Sequence, residues 1–187
     1  MTGRLFLIVG PSGAGKDTVI AGAMARLRPT DDVILARRMI TRPLHSGGAE
    51  QHIPVSPAAF ARLRAAGAFA LDWDSHGLSY GIGAEVQPWL DAGMTVIANG
   101  SRAALPAARR VFGAALVATE ITARPEVLAA RLVARGRESA ADIAERLARS
   151  RGLAPAPVHL SIPNDGTPAQ AAALLLAAIQ KDGPTCA

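Results

Sequence analysis

Nine consecutive residues constrain this chain more than anything else in it: Gly10-Pro11-Ser12-Gly13-Ala14-Gly15-Lys16-Asp17-Thr18. Gly10 and Gly15-Lys16 stand at the Walker A spacing. The apolar run at 4–9 precedes them, and a helix-patterned stretch at 16–27, ending before Pro29, comes after. A buried strand that turns through glycines into a helix permits few folds. The glycines let successive N–H groups converge on an anion. The helix N-terminus adds partial positive charge, and Lys16 supplies an ammonium for the β- and γ-phosphates of a nucleotide. Position 17 departs from the motif. A Ser or Thr hydroxyl there ordinarily ligates Mg²⁺; here a carboxylate stands there and Thr18 comes next. Asp is a good Mg²⁺ ligand, so Asp17 is expected to face the metal, directly or through water. The alternative is that it only favours the helix N-terminus electrostatically.

The rest of the chain alternates strand-like and helical segments. Apolar runs at 33–36, 68–73, 94–98, 116–121 and 158–162 read as strands. Ser56-Pro57 opens a helix that Gly67 stops, and Thr167-Pro168-Ala169-Gln170 opens an Ala-rich final one. Further helices are predicted at 84–92, 101–112 and 125–134, and a capping box at 139–142 starts another that runs to about Arg151. Residues 41–54 and 75–83 read as loops. Alternation of this kind predicts an α/β fold with a mostly parallel sheet. Residues 41–83 and 135–151 read as excursions from it. At 187 residues the chain is one domain's length.

Composition limits the partners. No apolar run reaches the ~18 residues of a transmembrane helix. The lone cysteine, Cys186, cannot form an internal disulfide, and with no export signal in the sequence this favours the cytoplasm. The net charge is +5, and Lys16 and Lys181 are the only lysines among 20 basic residues. Guanidinium forks suit phosphate and carboxylate, so nucleic acid and small polyanions both fit the charge. With 4% aromatic residues and no basic run, a nucleic-acid surface is poorly supported. His45, His52, His76 and His159 have no metal-ligand spacing.

Gly10–Thr18 resembles the phosphate loop of the guanylate kinase-like P-loop kinases, and the likeness extends in order over about residues 4–180. Ile40-Thr41-Arg42-Pro43 resembles that family's acceptor-phosphate segment, Ser79-Tyr80-Gly81 its Tyr-Gly element and Asn164-Asp165 its late pair near the adenine. Arg131-Leu132 with Arg135-Gly136-Arg137, and Ile143 with Arg146-Leu147, resemble its arginine-bearing lid. The departures are specific. His45 stands near where a second Arg is usual, His52 stands in place of an acceptor-contacting Tyr, and Leu71 falls near the guanine-reading Glu. The strand acid before the third helix is missing, where the chain reads Ala98-Asn99-Gly100-Ser101-Arg102. A guanine site would be badly damaged by such losses. Together they resemble the ribose 1,5-bisphosphate phosphokinase branch, which has Gly-Lys-Asp in its P-loop and an Asn-Gly-Ser-Arg segment.

The resemblance implies a P-loop NTPase fold with a core at 1–40, 84–134 and 152–181, an acceptor-binding region at 41–83 and a lid at 135–151. It implies ATP, Mg²⁺ and ribose 1,5-bisphosphate as reactants, with 5-phosphoribosyl 1-diphosphate as product during phosphonate breakdown. Lys16 and the loop from Gly10 to Thr18 are then assigned to the triphosphate of ATP, and Asn164 to ATP near the adenine. Arg42, His45, His52, Tyr80 and Arg102 are assigned to the acceptor, Arg135 and Arg146 to the transferring group, and Asp17 to the metal. Competing readings are a guanylate kinase proper, against which the altered acceptor residues argue, and a silent guanylate kinase-like interaction module, against which Lys16 and the lid arginines argue. A phosphate acceptor is already ionised at neutral pH, so no general base is required. Catalysis reduces to positioning and charge stabilisation.

Overall fold

The computed structural model describes residues 3–43, 51–135 and 157–181. His45, Arg146, Cys186 and the predicted helix at 139–151 lie outside the described residues, as does the side chain of Arg135.

Among the described residues, five parallel strands form the core sheet, in the order β2 (Val33–Ala36), β7 (Thr95–Asn99), β1 (Arg4–Val9), β8 (Leu116–Thr122) and β9 (Leu160–Pro163). Side chains alternate across β1 and so feed two layers. Leu5, Leu7 and Val9 pack toward α3 (Val86–Asp91) and α4 (Leu105–Phe112), while Phe6 and Ile8 pack toward α1 (Lys16–Met24) and the last helix, α6 (Pro168–Lys181). All five are essentially inaccessible to solvent, and each such side chain contributes about 1.5–3 kcal/mol through burial. The alanines of α6 permit a close approach to α1: a Cβ on Gly22 would lie 3.0 Å from that of Ala172. Gln170 Oε1 accepts the amide of Thr167 at 3.0 Å and fixes where α6 begins.

The chain leaves the core after β2 and builds a second, mixed sheet in the order β4 (Ile53–Pro54), β3 (Met39–Ile40), β6 (Leu78–Gly83) and β5 (Phe69–Ser75). Helix α2 (Pro57–Ala65) is capped by Ser56, whose Oγ accepts from Ala59 N at 3.1 Å. Residues 78–83, expected as loop, are a strand. The turn that makes them one is His76-Gly77, at φ 53° and 70°, the two left-handed residues a tight hairpin requires. Gly81 reads as a loop residue but is there for space, since a Cβ would come within 2.5 Å of the Phe69 ring. Residues 41–54, also expected as loop, contribute β4 at their end. The helix predicted from 101 begins as a single 3₁₀ turn, Arg102–Ala104, before α4. The strand expected from 158 starts at Leu160. Helix α5 (Pro125–Arg135) comes directly after β8.

Candidate active site

The loop between β1 and α1 curls because its glycines adopt positive φ: 142° at Gly10, 85° at Gly13 and 84° at Gly15. Two of these positions also lack room. A Cβ on Gly10 would lie 2.2 Å from the carbonyl oxygen of Ile121, and one on Gly15 would lie 2.7 Å from Asn164 Nδ2. Lys16 folds over the loop, its Nζ donating to the carbonyls of Gly10 at 3.0 Å and Pro11 at 3.1 Å. Ala14 is buried beneath, and Ser12 and Thr18 are exposed. The result is a short anion cradle at the sheet's C-terminal edge with an ammonium at its rim.

Asn164 holds the cradle from behind. It is 2% exposed, and its Nδ2 donates to the carbonyl of Ala14 at 2.7 Å. Its backbone amide donates to Thr122 at 2.8 Å. The neighbouring Asp165 accepts from Arg124 N at 2.6 Å, which ties the start of α5 to the end of β9. Arg131, on α5, brings a guanidinium to the loop near Asn164: its Nη1 is buried without a partner among the described residues and lies 3.9 Å from a notional Gly15 Cβ.

Asp17 and Asn99 meet across the end of the core sheet. Asn99 Nδ2 donates to Asp17 Oδ1 at 2.5 Å, and Arg38 Nη2 stands 3.7 Å from the same oxygen. Asn99 is 5% exposed, and its Oδ1 has no hydrogen-bond partner among the described residues. A carboxylate beside an unpartnered amide oxygen is an all-oxygen donor pair, the kind that suits a hard cation already carrying phosphates and water. The residues present therefore fit Mg²⁺. No group of three or more His, Cys, Asp or Glu capable of caging a metal occurs among the described residues.

Beside this pair opens a cleft of about 330 Å³ lined by α1, the end of β2, Arg37, Arg38, Gln51 and Asn99. Its volume is at the lower end for small-molecule sites. The acceptor candidates are placed around the second sheet. Thr41 Oγ1 accepts from Ser79 N at 2.9 Å, which fastens the Thr41-Arg42 segment to β6. His52 is buried and its Nε2 lies 3.0 Å from the carbonyl of Arg42, so it braces that segment's backbone. Tyr80 stacks on Trp73, with centroids 5.4 Å apart and planes 3° from parallel. Arg102 pairs with Glu120 on β8 at 3.6 Å. Sequence reasoning passed over Glu120 and Arg38. Nothing local marked Arg38, the second residue after β2, because its contacts with Asp17 and Tyr80 are distant in sequence.

Asp72 and Asp74, which the sequence left open between sugar binding and solvation, both engage Arg64. Its Nε lies 2.7 Å from Asp72 and its Nη2 3.2 Å from Asp74. Ser79 Oγ donates to Asp74 at 2.6 Å, and this bond, with Arg64, holds the Asp74 carboxyl below its ordinary value.

No family model matches the chain. Among curated proteins, it is 50% identical over 175 residues to a ribose 1,5-bisphosphate phosphokinase of Acidiphilium cryptum, covering 94% of this chain and 91% of that one. A ribose 1,5-bisphosphate phosphokinase of Laribacter hongkongensis is 52% identical over 165 residues, but the match spans only 40% of that longer protein. Among solved structures, guanylate kinase from Anaplasma phagocytophilum aligns with a TM-score of 0.74 over 99% of this chain and 89% of its own, at 16% identity, a likeness of fold.

Proposed function

Because the chain belongs to the ribose 1,5-bisphosphate phosphokinase family, we propose that it transfers the γ-phosphate of ATP to ribose 1,5-bisphosphate. An oxygen of the acceptor's 1-phosphate attacks the γ-phosphorus, the bond to the β-phosphate oxygen breaks, and ADP leaves. The product is 5-phospho-α-D-ribose 1-diphosphate, and the setting that the family implies is phosphonate catabolism. The attacking phosphate is already anionic, so the protein need not take a proton. It must overcome repulsion between two polyanions and hold them in line.

The observation that carries this reading is the Asp17–Asn99 junction between the phosphate loop and a cleft whose wall carries Arg37 and Arg38. On this reading the loop amides and Lys16 hold the β- and γ-phosphates, and Arg131 flanks them. Asp17 and Asn99 would hold Mg²⁺, which would screen charge between the phosphates. Arg42 takes an acceptor phosphate, with His52 keeping its backbone in place. Arg135 and Arg146 belong to the transferring group, and the segment at 135–151 to a lid that excludes water. No helix among the described residues is long and apolar enough to cross a membrane, and the reactants on this reading are those of the cytoplasm. The test is ADP release from ATP and Mg²⁺ with ribose 1,5-bisphosphate, GMP or no acceptor. ADP is expected with the bisphosphate; formation only with GMP would refute the assignment.

A further inference from the structure

Arg38 has no role in that reaction scheme, yet its position is unusual. It stands in the two-residue link by which the chain passes from β2 in the core sheet to β3 in the second one. Its carbonyl accepts from Ile53 N at 2.8 Å, which pins the backbone to β4. Its side chain turns the other way, back to the phosphate loop, and is only 10% exposed. One edge of the guanidinium stands 3.7 Å from Asp17, and one face lies over Tyr80 with 5.7 Å to the ring centre. Tyr80 is itself held flat against Trp73. A single planar cation is thus oriented by two elements at once, the start of α1 and the wall of the second sheet.

Charge narrows what such a cation is for. A sugar with two phosphate monoesters carries about −3 to −4 at neutral pH, and it must be brought against a triphosphate. Lys16 is placed over the loop. Arg102 faces Glu120, and Arg64 is shared by Asp72 and Asp74 on β5. Among the described residues lining the cleft, the cations are Arg37 and Arg38, and Arg37 is exposed. Arg38 is the one that stands against Asp17, where the donor and acceptor phosphates must converge. Asp17 already takes the shorter bond from Asn99, so its longer contact with Arg38 serves to aim the guanidinium. A planar fork of this kind matches two phosphate oxygens, which an ammonium cannot do.

We propose that Arg38 is an acceptor-binding residue: its guanidinium takes a phosphate of the bisphosphate at the mouth of the loop, with Asp17 and Tyr80 fixing its aim. This rests on ribose 1,5-bisphosphate being the acceptor. The experiment compares wild type, Arg38→Met and Arg38→Lys by steady-state ADP release, by calorimetric binding of ribose 1,5-bisphosphate to the ATP-free protein, and by thermal melting. Losing a charge-assisted bond of this type corresponds to about a 10- to 100-fold change. Arg38→Met should raise the acceptor Kd and KM by that factor and leave the KM for ATP within about threefold. Arg38→Lys, which keeps the charge and loses the fork, should weaken the acceptor by about three- to tenfold. An unchanged acceptor Kd in a normally melting Arg38→Met protein overturns the proposal, as does an equal rise in both KM values. If Arg38→Met does not fold, an unchanged acceptor Kd in Arg38→Lys overturns it instead. A wild-type protein that turns over GMP and not the bisphosphate brings down the functional reading and this inference together. An active wild type with indifferent Arg38 variants brings down the inference alone.

Discussion

Asn164→Ala separates two accounts of one residue. In the family resemblance Asn164 lies near the adenine; in the structure it is a strut behind the phosphate loop. The side chain is 2% exposed and donates to Ala14 O at 2.7 Å. Deleting the amide removes that bond, worth about 1 kcal/mol net, and strands a buried carbonyl at about 1–3 kcal/mol. One compensation reduces the total: Asn164 Oδ1 is itself buried without a partner among the described residues, and its removal relieves a similar penalty. The balance is a loss of about 1–2 kcal/mol. For a chain of this length that lowers Tm by about 3–6 °C. The protein without nucleotide should therefore melt earlier by that amount in calorimetry, and ATP should bind less tightly because the Ala14 peptide is free to turn. An adenine contact makes the opposite forecast: unchanged melting without nucleotide, and altered discrimination between ATP and GTP. A melting temperature within about 1 °C of wild type, well short of the expected shift, would refute the strut.

The same geometry makes three further forecasts. Lys16→Ala should lower turnover at least about 100-fold while leaving far-UV circular dichroism and Tm near wild type, because the ammonium's contacts are with loop carbonyls at the rim. Asp17→Ser should raise the Mg²⁺ concentration for half-maximal turnover by about tenfold, since it removes the charged member of the oxygen pair; an unchanged Mg²⁺ titration and turnover would remove Asp17 from the metal. Asp74 has a folded pKa below its ordinary value because Ser79 and then Arg64 bond its carboxylate. Its contribution is thus present above the unfolded pKa and is lost as pH falls through the folded one. Asp74→Asn should cost under about 1 kcal/mol near neutrality, and the difference from wild type in urea titrations should shrink as pH drops below about 4.

Much of this architecture was legible from local chemistry. The loop, Ser56 as a cap and the start of α6 are each written in a few adjacent residues whose physics is short-range. The second sheet was less legible for an equally physical reason. Its strands β3 and β4 are two residues each, and β6 carries Ser79 and Gly81, so no apolar period marks them. What makes β6 a strand is the His76-Gly77 turn and the Phe69 ring lying over Gly81, a contact between residues twelve apart. Among candidate site residues, Lys16 and Asp17 stand out in the motif itself. Arg38 does not, because its meaning depends on Asp17 and Tyr80, 21 and 42 positions away. His52 was assigned to the acceptor by pattern, whereas its burial and its bond to the Arg42 carbonyl give it work one step back from the cleft.

The two departures from the wider kinase pattern are one rearrangement in space. The strand position that reads Asn99 lost an acid, and the first turn of α1 gained one at Asp17; the two side chains touch at 2.5 Å. The site's carboxylate charge is thus carried on the loop helix rather than on the strand. That placement has a consequence on the acceptor side. A carboxylate on the strand would be flanked by β1 and β2, whereas one on α1 reaches the link after β2 and places a partner beside Arg38. Asp17→Asn combined with Asn99→Asp tests whether position matters as well as charge. The swap keeps the net charge and the hydrogen bond between the two sites, so Mg²⁺ titration should return toward wild type. The acceptor KM should remain raised, because the carboxylate that aims Arg38 is gone. Recovery of both would mean that the pair acts only as a charge and that its place on the helix is incidental.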